Sequence, residues 1–170
     1  MPTFEPKKWH ACQPDDWKCT NGVNCYSYIL DNPKYFWAVP GIGFAHTETR
    51  KYFDSFNTLF QDTPIPEFQN KIKEGAKKDG LIPVETQKDQ AGFTLAALFF
   101  PKNEHDFHWY RKDSDGTWSH KNGYQAVRNT DESGEIITDP KKADRGEYEA
   151  FGGYFLVPST GVKLSETFPI

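Results

Sequence analysis

The alternation of apolar and polar positions predicts helices in the first half of the chain and strands in the second. Residues 1–22 are polar and interrupted by prolines, which indicates an irregular N-terminal arm. The apolar run over residues 25–30 has the length of a short buried helix, and Asn24 is placed to cap its N-terminus. Pro33 ends this helix, because the residue before a proline avoids the helical conformation.

A second helix is predicted over residues 66–78. Phe68, Ile72 and Ala76 recur at every fourth position, so their side chains share one face of a helix. Gly80 follows as part of the C-terminal cap. Between the two helices, the aromatic segment 35–39 is predicted to form a strand or to pack as a plug.

Apolar runs in the second half predict the strands of an antiparallel sheet. They cover residues 82–84, 92–100, 106–112, 117–121 and 153–158. The run 92–100 is almost continuously apolar, which predicts a central strand buried on both faces. The sequence Asp113-Ser114-Asp115-Gly116 predicts a tight turn that joins the next two strands into a hairpin.

These elements together predict an α+β domain, with the helix that begins at Cys25 packed on the antiparallel sheet. A length of 170 residues fits one catalytic domain over residues 1–170. Within it, residues 1–22 form the arm, and the polar, turn-rich residues 122–150 form a surface excursion.

Composition excludes several classes of function. The net charge of −4 and the even spread of basic residues argue against a nucleic-acid binder. No apolar run approaches the ~20 residues that cross a bilayer, so no membrane association is predicted. The N-terminus lacks the hydrophobic stretch of a signal peptide, which favours a cytoplasmic protein or export without a cleaved signal.

Cys25 is the strongest candidate for a nucleophile. A cysteine at a helix N-terminus experiences the helix dipole and nearby backbone N–H groups, both of which favour the thiolate. The other two cysteines, Cys12 and Cys19, lie in polar loop sequence. A disulfide between them would leave Cys25 free, whereas a reducing compartment would keep all three reduced.

Two histidines on the predicted hairpin supply the rest of a catalytic group. His108 and His120 share one face of the hairpin if its turn is centred near Asp115. One imidazole then takes the thiol proton while the other orients it through a hydrogen bond. We expect a thiolate–imidazolium pair between Cys25 and His108, with His120 as the orienting residue. His105 is a weaker substitute, because its offset of three residues points it to the opposite face.

A zinc site is a rival use of the same cysteines. Cys12, Cys19 and Cys25 with His10 would provide three sulfur ligands and one nitrogen ligand. Their spacing matches no zinc-binding motif, so no metal site and no cofactor are predicted.

The stretch Asn24-Cys25-Tyr26, the strand-initial His108 and the later His120 resemble the motifs of the NlpC/P60 and CHAP branch of the papain-like cysteine peptidases and amidases. The resemblance covers residues 20–121. It implies a papain-like core and a Cys25–His108–His120 triad that cleaves amide bonds. Backbone N–H groups beside Cys25 would stabilise the oxyanion, and Asn24, Tyr26 and Trp109 are expected to contact the oxyanion or the substrate.

The family's commonest substrates are peptidoglycan peptides, so the resemblance implies a cell-wall amidase that acts as a phage lysin or as an exported effector. A cognate inhibitor or immunity protein would then be a partner. The same residues also support an effector-type deamidase or transamidase of a protein substrate. The third hypothesis is a binding module without catalysis, whose exposed Trp109, Trp118 and Tyr124 form the contact surface.

Overall fold

Helices precede strands along the part of the chain that the computed structural model describes, which is residues 1–9, 23–44, 49–123 and 125–166. A short 3-10 helix, Pro6–Trp9, is followed by α1 (Cys25–Ile29), α2 (Thr49–Phe60) and α3 (Ile65–Lys78). The strands are β1 (Ile82–Val84), β2 (Phe93–Phe100), β3 (His108–Lys112), β4 (Trp118–His120) and β5 (Ala150–Pro158). The predicted mixture of helices and an antiparallel sheet is therefore confirmed.

The five strands form one sheet in the order β1-β5-β2-β3-β4, and every neighbouring pair is antiparallel. The strand β2 lies in the middle, as its continuous apolar sequence predicts. Strands β3 and β4 pair as the predicted hairpin, with Tyr110 opposite His120 and Arg111 opposite Ser119.

Successive residues of β2 face two different hydrophobic clusters, because side chains alternate across a strand. Ala96, Leu98 and Phe100 pack in a cluster with residues of all three α-helices. On the opposite face, Leu95 and its alternate neighbours pack with Ile137 and Tyr148. Residues 122–150 therefore do more than cross the surface, since they bury the face of the sheet that the helices leave open.

The helix α1 begins and ends where the sequence predicts. The Asn24 side chain caps it by accepting a hydrogen bond from the backbone N–H of Ser27 at 3.1 Å. All five residues of α1 are buried. Asp31 follows the helix with a φ of 52°, a left-handed conformation that turns the chain away.

Between α1 and β1, the structure decides between the two arrangements predicted for residues 35–39. They form no strand, because the pairing there is limited to an isolated bridge between Val39 and Gly43, and they pack in or against the hydrophobic core. The helix α2 was not predicted, and the physical reason is its content of Thr, Ser, Asn and Phe, which are weak helix formers. The helix α3 agrees with the prediction to within one residue.

The first nine residues are docked on the domain rather than irregular throughout. Trp9 is buried and makes an edge-to-face contact with Tyr28, with ring centroids 5.1 Å apart. The backbone N–H of Ser114 donates to the carbonyl oxygen of Pro2 at 2.8 Å. Among the described helices, none has the length and apolar character that spanning a membrane requires.

Candidate active site

Cys25 lies at the N-terminus of α1, against the start of β3. Its thiol is a free thiol and donates to the carbonyl oxygen of Phe107 across 3.7 Å. The side chain borders a pocket of about 500 Å³. The pocket is also lined by His108, which directly follows Phe107, and by Asn24, Asp106 and Tyr148. The fold thus brings the predicted nucleophile and the predicted base into one pocket.

The two predicted histidines are hydrogen-bonded to each other. The Nε2 atom of His108 lies 2.8 Å from Nδ1 of His120. The hairpin register explains this contact, because Tyr110 pairs with His120 and His108 lies two residues before Tyr110 on the same face. Tyr110 also stacks on the His120 ring, with centroids 4.7 Å apart.

A chain of hydrogen bonds determines which ring nitrogens carry protons. His120 Nε2 lies 3.0 Å from the carbonyl oxygen of Thr130, which only accepts, so Nε2 carries the hydrogen. In the neutral ring, His120 Nδ1 is then an acceptor and receives the hydrogen of His108 Nε2. This leaves His108 Nδ1 as the nitrogen with a free lone pair. The base of the candidate triad is therefore Nδ1 of His108.

Burial opposes the charged form of all three groups. It raises the pKa of the Cys25 thiol to about 12, although the Trp109 backbone N–H opposes the change. Burial also lowers the pKa of His108 well below its usual value, and it lowers that of His120 to about 4. A resting thiolate–imidazolium pair stays a prediction, and it would have to overcome the cost of burying both charges.

The geometry instead supports transfer of the proton during the reaction. The thiol hydrogen now points at the Phe107 carbonyl, and it must turn away from that oxygen to reach His108 Nδ1. A substrate that displaces water and supplies polar groups around the sulfur would favour that movement. His108 would then act as a general base in the attack.

The three residues expected to contact the oxyanion or substrate have structural roles. The Asn24 amide borders the pocket, but it caps α1 and donates to the carbonyl of Ala38 at 2.7 Å. Tyr26 is fully buried and donates to Asp79 at 2.8 Å. Trp109 is fully buried between Tyr26 and Phe155. Among the described residues that line the pocket, neither Tyr26 nor Trp109 appears. Their contact with the oxyanion or the substrate stays a prediction.

The other sequence-based candidates do not join Cys25 and the two histidines in the proposed roles. His105 borders the pocket, but its Nε2 is held by the Thr63 carbonyl at 2.6 Å. Trp118 is buried like Trp109, so these two rings cannot form the exposed aromatic surface of a binding module. His10, Cys12, Cys19 and Tyr124 lie outside the described residues. Within the described ranges, no group of His, Cys, Asp and Glu residues is arranged to hold a metal ion.

Two residues of the site were missed by the sequence analysis. Tyr148 belongs to the polar excursion, and its ring lies 5.0 Å from that of His108. Its hydroxyl donates to Asp106 at 2.6 Å, and Asp106 also accepts from the Phe107 backbone N–H. An acidic residue two positions before His108 was visible in the sequence, whereas nothing local indicates that Tyr148 returns to this point.

Arg145 determines where Tyr148 lies. Its guanidinium donates to the Tyr148 carbonyl at 3.0 Å and packs over Phe99 at 4.2 Å. It also donates to the carbonyls of residues Pro140, Lys141, Ala143 and Glu149. Arg145 therefore holds the backbone of residues 140–149 together through these hydrogen bonds, and it is not among the residues that line the pocket.

The depressed pKa of His120 predicts a pH-dependent stability. Between pH 6.5 and 4 the unfolded chain binds a proton at His120 that the folded chain does not, so acidification destabilises the fold. From pH 7 to 4.5, the His120 contribution to the free energy of unfolding should fall by about 2 kcal/mol. Urea unfolding of the unmodified protein and of His120→Asn, each at pH 7 and at pH 4.5, measures this change in the free energy of unfolding. The carboxyls of the half-buried Asp79 and Asp106 and of the buried Asp113 have raised pKa values, so they act in the opposite direction, but equally in both proteins. If the free energy of unfolding changes equally with pH in the two proteins, the lowered pKa of His120 is contradicted.

Comparison with known proteins gives one informative relative. No protein-family model matches the chain, and no solved structure matches it significantly. The chain is 30% identical over 151 residues to insoluble matrix shell protein 1 of Ruditapes philippinarum. The alignment covers 89% of this chain and 86% of that protein, so the similarity extends over nearly the whole length of both. We conclude that the chain belongs to the family of insoluble matrix shell protein 1.

Proposed function

We propose that the protein is a cysteine-dependent amide hydrolase in which Cys25 is the nucleophile, His108 the general base and His120 the orienting residue. The observation that carries the proposal is the hydrogen-bond chain from Thr130 through His120 to His108. It leaves the basic Nδ1 of His108 in the ring that borders the Cys25 pocket. A neutral imidazole held in one tautomer is the form that a general base requires.

The proposed reaction uses only water and side chains of the protein. The Cys25 thiol gives its proton to His108 Nδ1, and the sulfur forms a bond to the amide carbon. The imidazolium then protonates the leaving amine, and the carbon–nitrogen bond breaks to give a thioester. Water, deprotonated by His108, attacks the thioester and releases the acid and the thiol. Backbone N–H groups at the start of α1 are the available oxyanion donors, and each is worth about 3 kcal/mol in the transition state.

The resemblance to the NlpC/P60 and CHAP branch of papain-like enzymes supports the same reaction, and it favours a papain-like core with peptide amides as substrates. Cys25 at a helix N-terminus and His108 at the start of the neighbouring strand β3 fit that arrangement. A protein glutamine side chain, or an amine in place of water, would use the same residues. Product analysis by mass spectrometry separates hydrolysis, deamidation and transamidation.

The first test measures thiol reactivity and needs no substrate. We expect iodoacetamide to alkylate Cys25 at pH 6–8 about tenfold faster in the unmodified protein than in His108→Ala, because His108 removes the thiol proton. Above pH 10 the two rates should converge, since hydroxide then replaces the base. Replacing Cys12 and Cys19 by serine in both proteins leaves one thiol to report.

The test has a clear negative result. Identical rate profiles for the unmodified protein and His108→Ala would show that the histidine does not activate the thiol, and the proposed function would fail. If the two rate profiles differ as expected, peptide amides, including peptidoglycan fragments, are screened for cleavage that Cys25→Ser lacks.

A structural role in an insoluble matrix is the second candidate, and the named relative is the observation that favours it. That role places the protein outside the cell and requires no nucleophile. Under it, Cys25→Ser should leave solubility and matrix incorporation unchanged, and no amide should be cleaved.

A further inference from the structure

The side chain of Tyr148 connects His108 to a half-buried carboxylate. Its ring is tilted against the His108 ring, at a centroid distance of 5.0 Å and an interplanar angle of 31°. Its hydroxyl donates to Asp106 Oδ2 at 2.6 Å. The other oxygen of Asp106 accepts from the Phe107 backbone N–H at 2.7 Å. All four of these residues border the pocket that Cys25 also lines.

This arrangement restricts rotation of the His108 ring. Tyr148 covers one part of the ring, and Tyr110 makes an edge-to-face contact at 4.9 Å. The hydrogen bond to His120 holds Nε2 in place. These contacts together fix the orientation of the ring, and with it the direction of the Nδ1 lone pair. Proton transfer from the thiol requires such a fixed orientation.

The same contacts favour the charged form of His108. When His108 accepts the thiol proton, its positive charge lies within the ~6 Å of the Tyr148 ring centroid at which cation–π attraction acts. A phenol that donates a strong hydrogen bond to a carboxylate has a more electron-rich ring, so the Asp106 contact strengthens this attraction. The charged or titratable groups around His108 are Cys25 on α1, Asp106 before β3, His120 on β4, and Arg128, which opposes the positive charge.

We propose that Tyr148 is a positioning residue for His108 in the proposed amide hydrolysis, and that its hydrogen bond to Asp106 strengthens its hold on the imidazolium. The inference rests on the proposed function, since it gives His108 the role of base. It assigns a catalytic contribution to residues 122–150, which enter the site through Tyr148.

The experiment uses the Cys25 alkylation assay with Tyr148→Phe and Tyr148→Leu in the background without Cys12 and Cys19. We expect Tyr148→Phe to slow alkylation at pH 6–8 about twofold, because the ring stays and the hydrogen bond is lost. Tyr148→Leu, which also loses the ring, should slow it about tenfold. Above pH 10, where His108 is not needed, both variants should match the parent protein.

Tyr154→Phe is the matched control. The Tyr154 hydroxyl also takes part in a partly buried hydrogen bond, accepting from Gln87 at 2.8 Å, but Tyr154 does not line the pocket. This variant should leave the alkylation profile unchanged. A thermal melt of each variant separates loss of fold from loss of reactivity, and Tyr148→Phe remains informative if Tyr148→Leu unfolds.

The outcomes distinguish this inference from the proposed function. If the alkylation rate depends on His108 but both Tyr148 variants follow the Tyr154→Phe profile, Tyr148 has only a packing role and the inference is overturned. If the alkylation rate is the same in His108→Ala, the proposed function fails, and the inference about Tyr148 fails with it. A loss confined to pH 6–8 that increases from Tyr148→Phe to Tyr148→Leu supports both.

Discussion

Replacing His120 by leucine is expected to lower kcat for amide hydrolysis about a thousandfold, whereas asparagine should keep kcat within about tenfold of the unmodified protein. The contrast follows from what His120 does in the structure. Its Nδ1 accepts the Nε2 hydrogen of His108, and that bond leaves the lone pair on His108 Nδ1. Asparagine keeps an acceptor oxygen close to the position of Nδ1, and leucine does not.

In His120→Leu, the His108 Nε2–H loses its buried acceptor. An unsatisfied buried donor costs about 1–3 kcal/mol, so the ring is expected to move its hydrogen to Nδ1. In that tautomer the nitrogen that should take the thiol proton already carries one. The reaction is therefore blocked at its first step even if every side chain stays in place.

Steady-state kinetics on a cleaved amide, together with ¹⁵N spectra of the His108 ring, check this explanation. The spectra should show the hydrogen on Nε2 in the unmodified protein and in His120→Asn, and on Nδ1 in His120→Leu. If leucine and asparagine lower kcat equally while both proteins remain folded, His120 does not act through the tautomer of His108. The orienting role would then be abandoned.

The parts of the fold that the sequence predicted are those determined by neighbouring residues. The α1 helix follows from a capping Asn24 and a short apolar run, and the β3–β4 hairpin from the turn that contains Gly116, whose φ is 85°. Because a hairpin fixes its own register, the proximity of His108 and His120 also followed from local sequence. The sequence thus predicted that these two histidines would meet.

The remaining features depend on contacts between distant segments or on burial. Tyr148 meets Asp106 across 42 residues, and no local pattern encodes that contact. Trp109 was assigned to a binding surface because an aromatic residue on a strand suits either face of a sheet, and the structure buries it. The neutral state of Cys25 follows from desolvation by the whole fold, which a helix N-terminus alone does not reveal.

A buried ion pair in the β3–β4 hairpin provides the largest expected effect on stability. Arg111 and Asp113 are both almost completely buried, with Arg111 Nε 2.9 Å from Asp113 Oδ1. Asp113 also accepts from Ser119, which is hydrogen-bonded to the Tyr28 hydroxyl. The Arg111 guanidinium lies 4.1 Å from the Tyr28 ring, so the network joins α1 to both strands of the hairpin.

We expect Asp113→Leu to lower the free energy of unfolding by about 3–5 kcal/mol, because it leaves the buried Arg111 charge with only the more exposed Asp31, 3.3 Å away, as an anionic partner. The double variant Arg111→Met/Asp113→Leu should be about 2 kcal/mol more stable than Asp113→Leu alone, since it also removes this poorly compensated buried charge. Burial raises the pKa of Asp113, although the Arg111 charge and the hydrogen bonds from Arg111 and Ser119 oppose the change. Urea unfolding at pH 7 of the two single variants and the double variant gives the coupling energy.

Additive losses in the double variant would contradict this interpretation and would show that each side chain stabilises the fold on its own. Coupled losses would have a consequence for the site as well. Arg111 pairs with Ser119 one position beyond the pairing of Tyr110 with His120, so the ion pair and its hydrogen bonds hold the register that brings His120 to His108. A double variant that is stable but slower in the alkylation of Cys25 would identify the buried charges as determinants of that register, and stability and reactivity would then be separable properties of one hairpin.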